Sequence, residues 1–161
     1  MTDAAATLRA LAPVAGAARD AALAHFHAKW RHDPLVLVKW FGVQAASNAP
    51  GATAAVAALT AHADFDWRNP NKCYALLCGF GRASFAGFHA EDGSGYALLA
   101  DAVLRLDGLN AQVAARVADA FTHWRKYDDR RQALLKAQLQ RILAHEGLSP
   151  NVREIASKSL K

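Results

Sequence analysis

Apolar residues recur at three- and four-residue intervals along the chain, and Pro, Gly and Asn cut that pattern into helix-length pieces. The first piece covers roughly residues 5–31, broken near Pro13 and Gly16, with Leu23, Phe26 and Trp30 on one face. His32-Asp33-Pro34 ends it, because the residue before a proline avoids helical geometry and proline suits the first turn of the next helix. That next helix carries Leu35, Leu37, Val38, Trp40, Phe41 and Val43. Further pieces are predicted over residues 51–61, 69–80, 94–106, 110–124, 128–145 and 149–160. Val, Ile and Thr never gather into the alternating runs a sheet needs, and alanine, the strongest helix former, is abundant throughout.

Helix starts fall about every 17 to 20 residues, so two helices make a unit near the 40-residue period of HEAT and armadillo arrays. The expectation is an all-α, HEAT/armadillo-like array of about eight helices in one domain spanning residues 1–161. Helix-end chemistry supports the boundaries. Asp128 or Asp129 can accept from free first-turn amides, Ser149-Pro150 sets an oxygen acceptor before a first-turn proline, and Gly147 follows a helix end. No Gly/Ser linker or low-complexity tract divides the chain.

Composition adds three points. The 161 residues are 53% hydrophobic, enough for one compact core. Cys73 and Cys78, the only cysteines, stand five positions apart on one apolar helical stretch, a separation that suits reduced core thiols rather than a disulfide. The segment Met1-Thr2-Asp3-Ala4 has no signal-peptide pattern, and no run approaches the roughly 20 apolar residues that span a bilayer, so a cytoplasmic chain without a membrane partner is expected. The net charge of +5 raises nucleic-acid binding, but basic residues interleave with acids, as in Arg125-Lys126-Tyr127-Asp128-Asp129-Arg130-Arg131. A mixed, solvated helix face explains that pattern better than a nucleic-acid surface does.

Seven histidines make metal binding the first chemistry to test, and their spacings do not predict a metal site. His25 and His27 point to different helix faces, and His145-Glu146 lacks the second histidine four positions after the first that a zinc-protease helix carries. His89-Ala90-Glu91 lacks the proline–cysteine partner of a deaminase zinc signature, and Gly93-Ser94-Gly95 is too short for a phosphate loop. Neither cysteine has a neighbouring histidine and no glycine-flanked serine elbow occurs, so no catalytic residue is assigned. Trp30, Trp40, Phe41, Trp67, Phe80, Phe85, Phe88, Tyr96, Phe121, Trp124 and Tyr127 are read as core at helical spacing. The stretch from Asn69 to Tyr96 gathers polar and flexible residues into what looks like one long connection, an ordered interface or a binding edge.

Several runs carry a resemblance: Lys39-Trp40-Phe41 with Gln44-Ala45, Asn69-Pro70-Asn71, Phe88-His89-Ala90-Glu91-Asp92-Gly93-Ser94-Gly95-Tyr96, Gln112-Val113-Ala114, and Tyr127-Asp128 with Arg131-Gln132. In order and spacing the chain resembles, from about residue 14 onward, the C-terminal helical domain of the bacterial alanyl aminopeptidase N branch of the gluzincin zinc metalloaminopeptidases. The Phe88 to Tyr96 run is its most specific element. Enzymes of that family remove N-terminal residues from peptides with a zinc ion held by an HExxH helix and a distant glutamate, and grip the free amine with a GAMEN-type loop. None of these motifs occurs in this sequence.

The resemblance therefore implies a right-handed α-superhelix with no catalytic site or cofactor of its own, belonging to a parent whose zinc sits in another domain. It would cap the active-site chamber, with the catalytic domain of the same polypeptide and peptide substrates as its partners. Small or basic N-terminal residues would be preferred. Carried over by motif, the substrate-access candidates are Lys72, Gln112 and Arg116, with Gln112 one helical turn from Arg116; Lys72 stands where the family pattern expects arginine and so lacks a planar two-pronged donor. Phe88, His89, Glu91 and Asp92 are candidates for contact with the catalytic domain, or for capping the next helix. The rival reading is a free-standing HEAT-like scaffold that holds a protein or a nucleic-acid backbone on its concave face.

Overall fold

The computed structural model describes residues 2–11, 14 and 16–161, with side chains from Ala6 onward. Among the described residues there is no strand. Eight α-helices have eight or more residues: α1 (Thr2–Leu11), α2 (Ala17–Trp30), α3 (Pro34–Ala45), α4 (Ala52–Thr60), α8 (Ser94–Asp107), α9 (Ala111–Ala118), α10 (Asp129–Leu143) and α11 (Pro150–Leu160). The all-α expectation therefore stands. Three shorter helices, α5 (Pro70–Cys73), α6 (Gly79–Ala83) and α7 (Phe85–Phe88), complete the set. Of the expected break in the first piece, Pro13 lies outside the described residues, while Gly16, with φ +138°, directly precedes α2. The chain comprises two compact units, one ending at Gly87 and one spanning Phe88–Lys161.

In the first unit α3 is the central element. Asp33 caps it by accepting from the amides of Leu35 and Val36, and Pro34 occupies its first turn. Val36, Leu37, Trp40, Phe41 and Val43 are buried, and Phe41 meets Phe65 edge-on at 5.5 Å between ring centroids. Asn69 caps α5 in the same way. The backbone then passes through a π-helical turn, Tyr74–Cys78, straight into α6.

Residues 70–83 are thus one helical path, as predicted over 69–80 and against the reading of 69–96 as one long connection, and Gly79 lies inside it where α3 crosses. A Cβ at Gly79 would stand 3.2 Å from that of Ala45, tighter than ordinary contact. Leu76, Leu77 and Cys78 are all buried, and both cysteines are free thiols. Burial pushes the Cys73 thiol up to about 11, so it stays protonated and unreactive at neutral pH.

The end of this unit is its most crowded place. A Cβ on Gly87 would come to 2.6 Å from Ser84 Oγ, 2.8 Å from the Phe80 ring and 3.0 Å from Ala52. The Ser84 hydroxyl donates to the Ser47 carbonyl and the Thr53 hydroxyl to the Gly87 carbonyl, so neither wall can retreat without losing a bond. Gly87→Ala is expected to lower stability by about 1–3 kcal/mol through overpacking, read as a reduced urea midpoint in circular dichroism; an unchanged midpoint would show that this corner yields freely.

The second unit packs α8 against α9 and α10, and α11 against α9 and α10. Leu99, Val103, Leu106, Val117, Phe121, Leu135, Leu139, Ile142 and Val152 form its core, with almost no exposure. Side chains cap three starts: Asn110 for α9, Asp128 rather than Asp129 for α10, and Ser149 for α11. Ser149 is itself held by Asp107, which accepts from its hydroxyl and from its amide, the latter at 2.8 Å. Gly147, with φ +75°, supplies the left-handed residue after α10. The predicted helix over residues 110–124 ends early: α9 stops at Ala118 and gives way to 3₁₀ turns at Asp119–Phe121 and Trp124–Lys126. Phe121 and Trp124 stand three apart, so a three-residue period turns both inward. The Trp124 indole and the Arg125 guanidinium then both donate to the Ser159 carbonyl of α11.

Candidate functional site

Lys72 sits on α5, half-buried, where the capping of Asn69-Pro70 aims it back along the preceding turn. Its ammonium donates to the Asp64 carbonyl at 2.7 Å. One of three ammonium donors is engaged in that bond and the others remain to be shared. The turn it braces holds a group no sequence spacing revealed. His27 Nε2 on α2 lies 2.7 Å from Asp64 Oδ2, and His62 Nδ1 lies 3.9 Å from the same oxygen. The Asp64 amide donates to His62 Nδ1 at 3.1 Å, which fixes that ring's orientation. Trp40 backs the group, with its ring 4.7 Å from His27 and 5.3 Å from His62. The hydrogen bond from His27 holds the Asp64 carboxyl below the usual carboxylate range, and the charge of Arg31 acts in the same sense.

In the second unit, Gln112 and Arg116 both stand exposed on α9, one turn apart, with Val113, Ala114 and Val117 forming its buried side. Lys72 belongs to the first unit and these two to the second.

The Phe88 to Tyr96 run folds as a latch inside the second unit. Phe88 is 1% exposed and meets Tyr96 and Phe121 edge-on at 5.1 and 6.0 Å, so it is a core residue with no face for an outside domain. The Tyr96 hydroxyl and His89 Nδ1 share a hydrogen bond of 2.8 Å, and the Tyr127 ring lies 4.3 Å from the imidazole. Burial first, and then the nearby Arg131 charge, pull the His89 pKa below its ordinary value, while burial pushes the Tyr96 phenol up to about 12. Both groups are therefore neutral near pH 7.

Arg131 pairs with Asp128 at 2.7 Å, and its other nitrogen approaches the His89 carbonyl at 3.4 Å. Asp92 Oδ1 accepts from the Ser94 amide at 2.9 Å, so this carboxylate serves the start of α8. Gly93 takes φ +76° with the Leu134 methyls 3.2 Å from where a Cβ would lie, which requires glycine twice over. Glu91 is exposed, and its charge acts on Arg131. His145 and Glu146 are exposed in the turn after α10 and form no helical pair.

The architecture defines an all-α helical array of armadillo type, with polar positions such as Lys72 on its short helices. The chain belongs to the family described as "Domain of unknown function (DUF3458_C) ARM repeats", whose pattern matches residues 1–161. It is 45% identical to the aminopeptidase N of Caulobacter vibrioides over 160 residues, 99% of this chain and 18% of that protein. It is 37% identical to those of Haemophilus influenzae and Escherichia coli, again covering 18% of each. The chain also superimposes on part of the crystal structure of Legionella pneumophila aminopeptidase A in complex with aspartic acid. The TM-score is 0.94 and the identity 39%, covering 99% of this chain and 19% of the other. The chain thus spans under a fifth of the relatives it matches, and the resemblance carried by the Phe88 to Tyr96 run is the relationship these comparisons return.

Proposed function

We propose that this chain is the non-catalytic capping domain of a zinc-dependent aminopeptidase, closing the active-site chamber and gating the peptides that enter it. The observation that supports this most is end-to-end similarity to aminopeptidases N over only 18% of their length, in a sequence without the HExxH motif. The parent's zinc would be held by residues outside this chain. The partner is then the catalytic domain of the same polypeptide, and Leu35, Val38, Tyr74 and Ala75, which line an open depression with Leu35 73% exposed, supply apolar surface for docking. Lys72, with ammonium donors still to share, and the exposed pair Gln112 and Arg116 are the groups suited to a peptide carbonyl or carboxylate.

The decisive experiment is hydrolysis of an alanine-linked chromogenic amide, first by this chain with zinc and then after mixing with a matching catalytic fragment, association being followed by gel filtration. Activity is expected only in the mixture. Lys72→Met or Arg116→Met should lower kcat/KM about tenfold, the effect of losing one charged hydrogen bond of about 1.5 kcal/mol. Turnover by this chain alone, or an associated mixture whose activity ignores both substitutions, would overturn the reading. Tight, salt-sensitive binding of RNA or DNA would favour a free-standing scaffold.

A further inference from the structure

We propose that His27, His62 and Asp64 form a binding site for a divalent transition-metal ion of the zinc class, with water completing the coordination. A tetrahedral ion with bonds of about 2.0–2.1 Å holds its donors about 3.4 Å apart. The two distances to Asp64 Oδ2, 2.7 Å from His27 Nε2 and 3.9 Å from His62 Nδ1, bracket that value. All three donor atoms lie within 4.8 Å of one another. Two imidazoles and one carboxylate are the borderline donor set that zinc, cobalt and nickel prefer over magnesium or calcium, which take oxygen.

The surroundings suit an ion more than they suit a simple hydrogen-bonded triad. The three side chains are 19%, 32% and 22% exposed, open enough for entry and shielded enough to strengthen the charge. The two imidazoles stand edge-on at 5.2 Å and 82°, and their donor nitrogens lie within 4.8 Å of each other. Trp40 and Phe41 wall the inner side, and Trp40 is fixed by its indole bond to the Leu23 carbonyl. Lys72 braces the turn from behind through the Asp64 carbonyl.

On binding, His27 moves its ring proton from Nε2 to Nδ1 through solvent, and His62 Nδ1 exchanges the Asp64 amide for the ion. The positive charges of Arg31 and Lys72 nearby oppose the ion and limit its affinity. Three donors leave a position for water, so this is an exchangeable site and not a closed structural one.

The test is titration of the chelator-stripped 161-residue chain with Zn²⁺ by calorimetry and with Co²⁺ by visible absorption, each variant first shown helical by circular dichroism. One equivalent of Zn²⁺ and cobalt d–d bands are expected. Affinity should fall at least about tenfold in His27→Gln and in Asp64→Asn, and hold in His25→Gln, which alters an exposed imidazole on the same helix. Absence of uptake by the wild-type chain, or uptake undiminished in both ligand variants, would overturn the site.

Discussion

Phe88→Ala is expected to destabilise the chain by about 3–5 kcal/mol, the range for emptying a buried phenylalanine site. The ring is 1% exposed, and its neighbours are not free to collapse on the space it leaves. Tyr96 is tied through its hydroxyl to His89, Phe121 lies on a 3₁₀ turn whose ends are fixed, and Gly93 beneath the turn holds a left-handed conformation against Leu134. A site that cannot relax retains its cavity, which places the cost in the upper part of the range. Urea unfolding followed by circular dichroism reads this as a lower midpoint at unchanged slope. Tyr96→Phe is the calibrating control: it keeps the ring and removes one hydrogen bond, for about 1 kcal/mol. A Phe88→Ala loss no larger than that of the control would mean that the run serves an outside surface after all.

The second large effect is expected at Trp40, whose replacement by alanine should also lower stability by about 3–5 kcal/mol. Two losses combine there. The indole packs against Phe41 at 5.1 Å and backs both His27 and His62, and its N–H satisfies the Leu23 carbonyl at 3.0 Å in a buried setting. Alanine leaves a cavity and removes the indole bond together, whereas Trp40→Phe fills much of the cavity and loses mainly that bond, for about 1 kcal/mol, the Leu23 carbonyl keeping its place within α2. Thermal and urea unfolding of the two variants separate the contributions. Equal losses would show that the hydrogen bond, not the volume, dominates.

The helix starts that sequence located well are those that two independent signals define. At α3, α9, α10 and α11 an apolar stripe at three- and four-residue spacing begins just after a residue able to cap, and Asp33, Asn110, Asp128 and Ser149 do cap. Where the local period departs from that of an α-helix, the reading slipped. The polar and flexible residues between Asn69 and Tyr96 also suggested one long connection, yet the helix predicted over 69–80 runs on to Ala83, and at Gly79 the missing side chain admits a crossing helix, a tertiary reason with no local mark.

The candidate sites show the same divide. Lys72, Gln112 and Arg116 were found through motifs, and the structure adds what motifs omit: the bond from Lys72 to Asp64 and the exposure of the other two. Asp92 resolves into a helix-start ligand and Phe88 into core. His27 and Asp64 are 37 positions apart, beyond any test based on spacing within a helix or turn, and only the packing of α2 beside the turn after α4 joins them.

The wide turn at Tyr74–Cys78 holds one residue more than a regular helical turn. A regular α-helix advances by about 100° per residue, so three successive inward side chains such as Leu76, Leu77 and Cys78 are more than one stripe can hold. On either side of the turn Lys72 faces the Asp64 carbonyl and Phe80 faces the core. Shortening this segment by a single residue would restore a regular helix and leave Lys72 and Phe80 in nearly the same relative phase, because five residues at the wider pitch turn about as far as four at the α-helical one. The wide turn thus buries one more side chain without redirecting the ammonium.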